Sequence, residues 1–226
     1  MAAPTLPSGI RRPREIDHRT LKLVVGLTAL LLPILTDLFA HASLPSISAA
    51  YYETGPSQTI LIGSLFAIAS FLLAYNGENR PQMILSKVAC VAALGITLFP
   101  CNCGNCGDHC SKFDTLHYAS AAVMFLVLAY FCYAFYRKAQ SKGHLEARTR
   151  SGIYAVCGSA ILLSIVAMAF DGLTHALRDL WPDFTFYGEA AGMWAFGVSW
   201  LVASRVLPII TRADERFSLF REHNPP

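Results

Sequence analysis

The stretch MILSKVACVAALGITLF, residues 83–99, decides how this chain is threaded. It is apolar apart from Lys87, and the uncharged run from Val88 to Phe99 is short for a bilayer span, which takes about 20 residues. Whether it crosses sets the side on which every later loop lies. If it crosses, the basic segment holding Arg137, Lys138, Lys142, Arg148 and Arg150 stays with the basic N-terminal flank. If it does not, that whole segment must be exported. Lys87 lies close enough to one end to snorkel to the interface, which costs far less than exporting five cations. The stretch therefore reads as a span.

Five further apolar runs flank it: Leu21 to Ala40, Ser57 to Tyr75, His117 to Tyr136, Gly152 to Phe170 and Glu189 to Leu207. Lipid satisfies no backbone polar group, so each must be helical. The fold class expected is all-α, a polytopic membrane bundle of six transmembrane helices. Orientation follows from the cations. Arg11, Arg12, Arg14, Arg19 and Lys22 lie in the N-terminal flank, Arg80 and Lys87 in the second loop, and Arg205, Arg212, Arg216 and Arg221 in the C-terminal flank. With the segment 137–150 these place all but two of the 18 basic residues, Lys112 and Arg178, on one side. The positive-inside rule makes that side cytoplasmic, with both termini on it.

Composition agrees. A chain of 226 residues with 54% hydrophobic and 15% charged residues and a mean hydropathy of +0.43 is too apolar for an ordinary soluble domain. The expected organisation is a cytoplasmic segment 1–20, a transmembrane domain 21–207 with a cysteine-rich exoplasmic loop 100–116, and a cytoplasmic tail 208–226. The location expected is a bacterial inner membrane, multi-pass. No nucleotide-binding glycine fingerprint and no strong repeat is present, and nucleic acid is not an expected partner.

The first run has some features of a signal peptide, since Ala40-His41-Ala42 has the small-x-small form of a cleavage site. Its long basic leader and Asp37 argue for retention as a span. In the sixth run Ala191, Ala195, Ser199 and Ala203 form a small-residue stripe that lets helices approach closely, either within the bundle or in a homo-oligomer. Trp194 and Trp200 read as packing or interfacial residues. The tail from Ile209 to Phe220 mixes apolar and charged residues and suits either the headgroup layer or a loose end.

Acidic and histidine residues gather on the outer side. Asp37 and His41 end the first run, and Asp171 and His175 end the fifth. Each pair has i, i+4 spacing, which on a continuing helix puts both members on one face. His117 opens the fourth run and Glu189 the sixth. Together His41, His117, Asp171 and His175 form a candidate ring of metal ligands of the type zinc uses to activate water, so zinc is a possible cofactor. His117, Glu189 and Asp37 are the candidates for acid–base work, Asp37 and Glu189 because they lie closest to apolar sequence. The competing role is helix-end capping and interfacial solvation.

The third loop carries Cys101, Cys103, Cys106, His109 and Cys110 within ten residues. On the outer side oxidation is permitted, and two disulfides are the leading reading. A Cys101–Cys103 bridge would be strained, which favours the other two pairings. The rival is a soft-metal site for zinc or copper(I) that includes His109. Cys90, Cys132 and Cys157 lie within runs and read as small hydrophobes.

Several motifs resemble a family of uncharacterised bacterial six-span membrane proteins: SISAAYY at 46–52, IGSLFAI at 62–68, LGITLFP at 94–100, His117-Tyr118 with Ala121-Ala122, and Glu189 leading to AFGVSWL at 195–201. More distantly, Pro45-Ser46-Ile47-Ser48, the histidine opening the fourth run and the glutamate opening the sixth resemble the DRAM-like membrane proteins, some of whose relatives are tied to lipid and GPI-anchor processing. The resemblance implies binding positions at Ser46, Ser48, Tyr51 and Tyr52, together with His117 and Glu189. The cysteine cluster departs from that pattern.

Three functions follow as expectations. The first is a membrane protein that binds or organises lipid through a polar site at the outer helix ends. The second is a lipid-modifying hydrolase or acyl-transfer enzyme with His117 as base or ligand. The third is a small-solute transporter, against which stands the scarcity of mid-membrane charge and helix breaks.

Overall fold

The computed structural model describes residues 18–101 and 114–216, and among them there is no strand. The elements are α1 (His18–Leu38), α2 (Pro56–Ala74), α3 (Arg80–Leu98), α4 (Asp114–Gln140), α5 (Leu145–Thr174), a short α6 (Ala176–Leu180) and α7 (Phe184–Ser204), with a 3₁₀ helix, Ile47–Tyr52, between α1 and α2. The protein is all-α, a helical bundle. Helices α1 to α5 are long and apolar enough to cross a membrane, which makes it a multi-pass, membrane-embedded chain. α7 matches α1 in length at 21 residues. It covers most of the sixth apolar run and carries a single charged residue, Glu189.

Each long helix packs on its neighbours in sequence, and α7 closes the ring against α1. Contacts fix which ends lie together. At one end Ser57 Oγ donates to Thr36 O (2.8 Å), the Phe186 N–H to Pro45 O (3.1 Å) and Tyr52 Oη to Cys101 O (2.8 Å). At the other, Lys138 pairs with Glu78, and Arg150 and Arg205 pair with Glu215 at 2.9 Å each. The helices therefore alternate in direction, and the chain enters α1 and leaves α7 at the same basic end.

The doubtful third run is a helix of 19 residues, starting at Arg80. Asn79 caps it by accepting the Gln82 N–H at 3.0 Å, and Pro81 sits in the first turn, where a missing N–H costs nothing. Lys87 reaches sideways, donating to Leu73 O, to Tyr75 O (3.1 Å) and to Asn76 Oδ1 (3.3 Å). A cation on the last carbonyls of α2 offsets the negative end of that helix.

The basic fourth loop is much shorter than its charges suggest. α4 runs to Gln140 and α5 starts at Leu145, so Arg137, Lys138, Arg148 and Arg150 are helical. The turn between them has Gly143 at φ 72°, a left-handed conformation that glycine adopts without strain, and His144 Nδ1 accepts the Ala147 N–H at 3.2 Å.

Close approach of backbones builds the α1–α7 seam. A Cβ on Gly197 would lie 2.9 Å from Gly26 O and 2.7 Å from Leu30 Cγ, so only glycine fits there. Trp200 is fully buried among Tyr75, Phe131, Phe135 and Phe196, at ring centroid separations of 5.2 to 6.1 Å. Trp194, by contrast, sits near the surface and donates to Leu30 O at 3.2 Å. Of the small-residue stripe, Ser199 and Ala203 are buried inside the bundle and Ala191 faces outward. Cys90, Cys132 and Cys157 are free and buried.

Candidate functional site

The segment between α1 and α2 supplies the first part of the site. Ser46 N-caps the 3₁₀ helix, its Oγ accepting the Ala49 N–H at 3.1 Å. This turns the N–H groups of Ile47 and Ser48 towards α7, where Glu189 meets them. One carboxylate oxygen accepts from Ile47 N at 2.6 Å and from Ser48 N at 3.4 Å, and the other lies 3.4 Å from Ser48 Oγ. A carboxylate at the N-terminal N–H groups of a helix is the favourable polarity.

His117, buried in the first turn of α4, completes the cluster. Its Nδ1 is 2.8 Å from Phe99 O, at the end of α3, and its Nε2 is 3.2 Å from Ser48 Oγ. A carbonyl can only accept, so Nδ1 carries the proton and Nε2 presents its lone pair to the Ser48 hydroxyl. Ser48 Oγ thus lies between an imidazole acceptor and a carboxylate acceptor. Four elements meet there: the end of α3, the start of α4, the second turn of α7 and the 3₁₀ helix.

Beneath the cluster, a cavity of about 50 Å³ is walled by Leu32, Leu61, Leu65, Ile96, Phe125 and Met193, with Ser48, His117 and Glu189 at its polar end. That volume admits a few water molecules. A larger apolar groove of about 610 Å³ lies between α3 and α4, lined by Ile84, Val88, Val91, Leu116, Ala119 and Val123.

The remaining candidates lie elsewhere. α1 ends at Leu38, so the i, i+4 relation of Asp37 and His41 never forms on a helix; Asp37 faces outward. His41 instead pairs with Glu53, which takes both its Nδ1 (2.9 Å) and its backbone N–H (3.1 Å). These two hydrogen bonds hold the Glu53 carboxyl below its ordinary pKa. The second pair is broken too, because α5 stops at Thr174 and His175 is left-handed at φ 58°. Asp171 caps α6, accepting from Leu177 N (2.9 Å) and Arg178 N (3.0 Å), and pairs with Arg178 Nε at 2.6 Å. His175 Nδ1 accepts from Arg178 Nη2 at 2.9 Å.

The expected ring of His41, His117, Asp171 and His175 is therefore not assembled, and no cluster of three or more His, Cys, Asp or Glu side chains suited to a metal occurs among the described residues. The pairs fail because both helices end inside the spacing that would have aligned them. Of the positions implied by resemblance, Ser48 is in the cluster and Ser46 caps its helix. Tyr51 lines a smaller neighbouring cavity with Ser48 and His117, and Tyr52 ties the segment to Cys101. Cys101 is buried; Cys103, Cys106, His109 and Cys110 lie outside the described residues.

Two contributors escaped the sequence reading, the Ile47 N–H and the Phe99 carbonyl. Backbone groups carry no residue signature. No family model matches the chain, and no similar curated protein or solved structure was found.

Proposed function

We propose that this protein binds or organises a membrane lipid, whose polar head is recognised by Ser48, His117 and Glu189 at the outer ends of the helices. One observation carries the reading. Three polar side chains from separate elements converge at one end of an otherwise apolar bundle, where a headgroup would meet them, and such groups at membrane depth are costly unless used. The 50 Å³ cavity is too small for an acyl chain, whereas the 610 Å³ groove between α3 and α4 falls within the roughly 300–1,000 Å³ typical of small-molecule sites. The lipid tail is assigned to that groove. The topology that goes with this reading has α7 as a sixth span, both termini cytoplasmic, disulfides in the cysteine-rich loop and residence in a bacterial inner membrane, in keeping with the resemblance to DRAM-like proteins.

The test is photo-crosslinking of the full chain in nanodiscs with a phospholipid bearing a photoactivatable acyl chain. Crosslinks concentrated on Val88, Val91 and the α4 start, and reduced roughly tenfold by His117→Ala, support the reading; labelling spread evenly over the lipid-facing surface in both proteins overturns it.

A second reading rests on the 3.2 Å contact between Ser48 Oγ and His117 Nε2. A hydroxyl donating to an imidazole whose other nitrogen is fixed is the arrangement of an activated serine, which suits a lipid hydrolase or acyl-transfer enzyme. Against it, the N–H groups of Ile47 and Ser48, placed to stabilise an oxyanion, are already taken by Glu189. Covalent capture of a fluorophosphonate on Ser48, lost in His117→Ala, would decide for the enzyme.

A further inference from the structure

The opposite, basic end of the bundle holds a larger polar cavity, of about 360 Å³, into which three helices (α1, α4 and α5), the turn between α4 and α5 and the segment after α7 send cations. Arg19, Lys22, Lys138, Lys142, Arg150 and Arg205 line it. Among the described residues, two carboxylates face these six. Glu78 pairs with Lys138, and Glu215 takes Lys142, Arg150 and Arg205. Among the described residues the balance in this partly open cavity is positive.

Lys22 is the informative residue. It is only 8% exposed, yet its ammonium has no hydrogen bond or ion pair among the described residues. Its contacts there are ring faces, Phe135 at 4.8 Å and Tyr75 at 5.5 Å from the centroids. The hydroxyl of Tyr75 is likewise buried without a partner among the described residues. A cation held out of water against aromatic rings recovers part of its hydration energy by cation–π attraction, but its three N–H donors stay unused. Burying such a charge is expensive unless an anion completes it. Arg150, only 2% exposed, is held rigid by Ile210 O at 2.8 Å and Glu215 at 2.9 Å, so the wall is built in advance.

We propose that this cavity binds a phosphate group, with Lys22 as its central ligand and Arg19 and Lys142 at its rim. Phosphate suits the surplus of charge better than a single carboxylate. Its several oxygens accept from more than one cation, and it carries up to two negative charges. The volume admits a phosphate ester with its substituent. The same chemistry belongs to a free phosphate and to the headgroup of an anionic phospholipid. The site is separate from the Ser48 cluster and stands or falls independently of it.

The experiment uses the full chain in phosphatidylcholine nanodiscs. In one arm inorganic phosphate is titrated at constant ionic strength; in the other the discs are doped with increasing phosphatidylglycerol. The readout is the melting temperature as a function of probe concentration. A saturable rise is expected in at least one arm, with apparent affinity falling roughly tenfold in Lys22→Met, the loss of one charge-assisted contact, retained in Lys22→Arg and unchanged in Arg80→Gln, whose cation is not among those lining the cavity. A response to phosphate alone assigns a soluble anion, and a response to phosphatidylglycerol assigns a headgroup. If Lys22→Met does not fold, Arg19→Gln must show the loss. No saturable rise in either arm, or an equal effect of Lys22→Met and Arg80→Gln, overturns the proposal.

Discussion

The Glu189 carboxylate accepts the backbone N–H of Ile47 at 2.6 Å, although 142 residues separate them in the chain. This contact fastens the loop between the first two long helices to the last one. Glu189→Ala should leave two backbone donors unsatisfied and lower stability by about 2 kcal/mol. Glu189→Gln, whose carbonyl replaces one acceptor oxygen, should lose less. Thermal melting in detergent, compared across both variants, checks the order; equal melting of Glu189→Ala and wild type would show that the contact holds nothing.

The Gly26–Gly197 seam predicts intolerance to a single methyl group. Gly197→Ala would set a Cβ 2.9 Å from Gly26 O, a backbone atom that moves only if the whole helix moves. The expected loss is about 1–3 kcal/mol, the usual range for overpacking. Gly152→Ala, where nothing lies within 4 Å, should be neutral or slightly stabilising because alanine favours helix. The pair of melting curves distinguishes packing from propensity.

Glu215 gives a pH dependence. Burial pushes its carboxyl up, but the hydrogen bond from Lys142, the charge and hydrogen bond of Arg205 and the hydrogen bond from Arg150 outweigh that and hold it at about 2, against 4.5 ordinarily. A depressed folded pKa stabilises at pH above the unfolded value and loses that contribution as pH falls through the folded one. Stability should therefore decline between pH 4.5 and about 2, by on the order of 2 kcal/mol. Glu215→Gln should be less stable at neutral pH and show a flatter acid limb; an unchanged limb would refute the assignment.

Asp171 supports α6 and pairs with Arg178. Asp171→Asn keeps an acceptor but no charge and should cost about 1 kcal/mol, as for the loss of a good helix cap. Hydrogen exchange across 176–180 should quicken in this variant while the exchange of α5 above it is unchanged. Uniform exchange in both proteins would show that the cap is idle.

The helices were legible because lipid forces a single backbone solution on long apolar runs, and the charge distribution arranged them in the right alternation. Their ends were not. α4 and α5 extend into strongly basic sequence because an amphiphilic helix remains a helix in the headgroup layer, and hydropathy is blind to that continuation. The candidate site was half legible. His117 and Glu189 stood out as ionisable groups at the edges of apolar runs, and Ser48 came with a motif. Asp37, His41, Asp171 and His175 stood out on the same ground and went elsewhere, because their shared spacing presumed helices that stop at Leu38 and Thr174. The basic end was read only for its sign. Which of its cations acids had neutralised, and that Lys22 was not among them, depended on Glu78 and Glu215, far apart in sequence.

Closing the ring with the last helix has a consequence for biogenesis. Until α7 leaves the ribosome, the Gly26 groove of α1 has no mate, and the loop carrying Ser48 has nothing to hold its N–H groups, since Glu189 travels on that final segment. Without α7 the earlier helices, each packed on its neighbours in sequence, would leave the ring open. Arrival of α7 closes the circle and assembles the Ser48 cluster in one event. A chain cut short before Phe184 would lack both the Gly197 mate of Gly26 and the Glu189 acceptor.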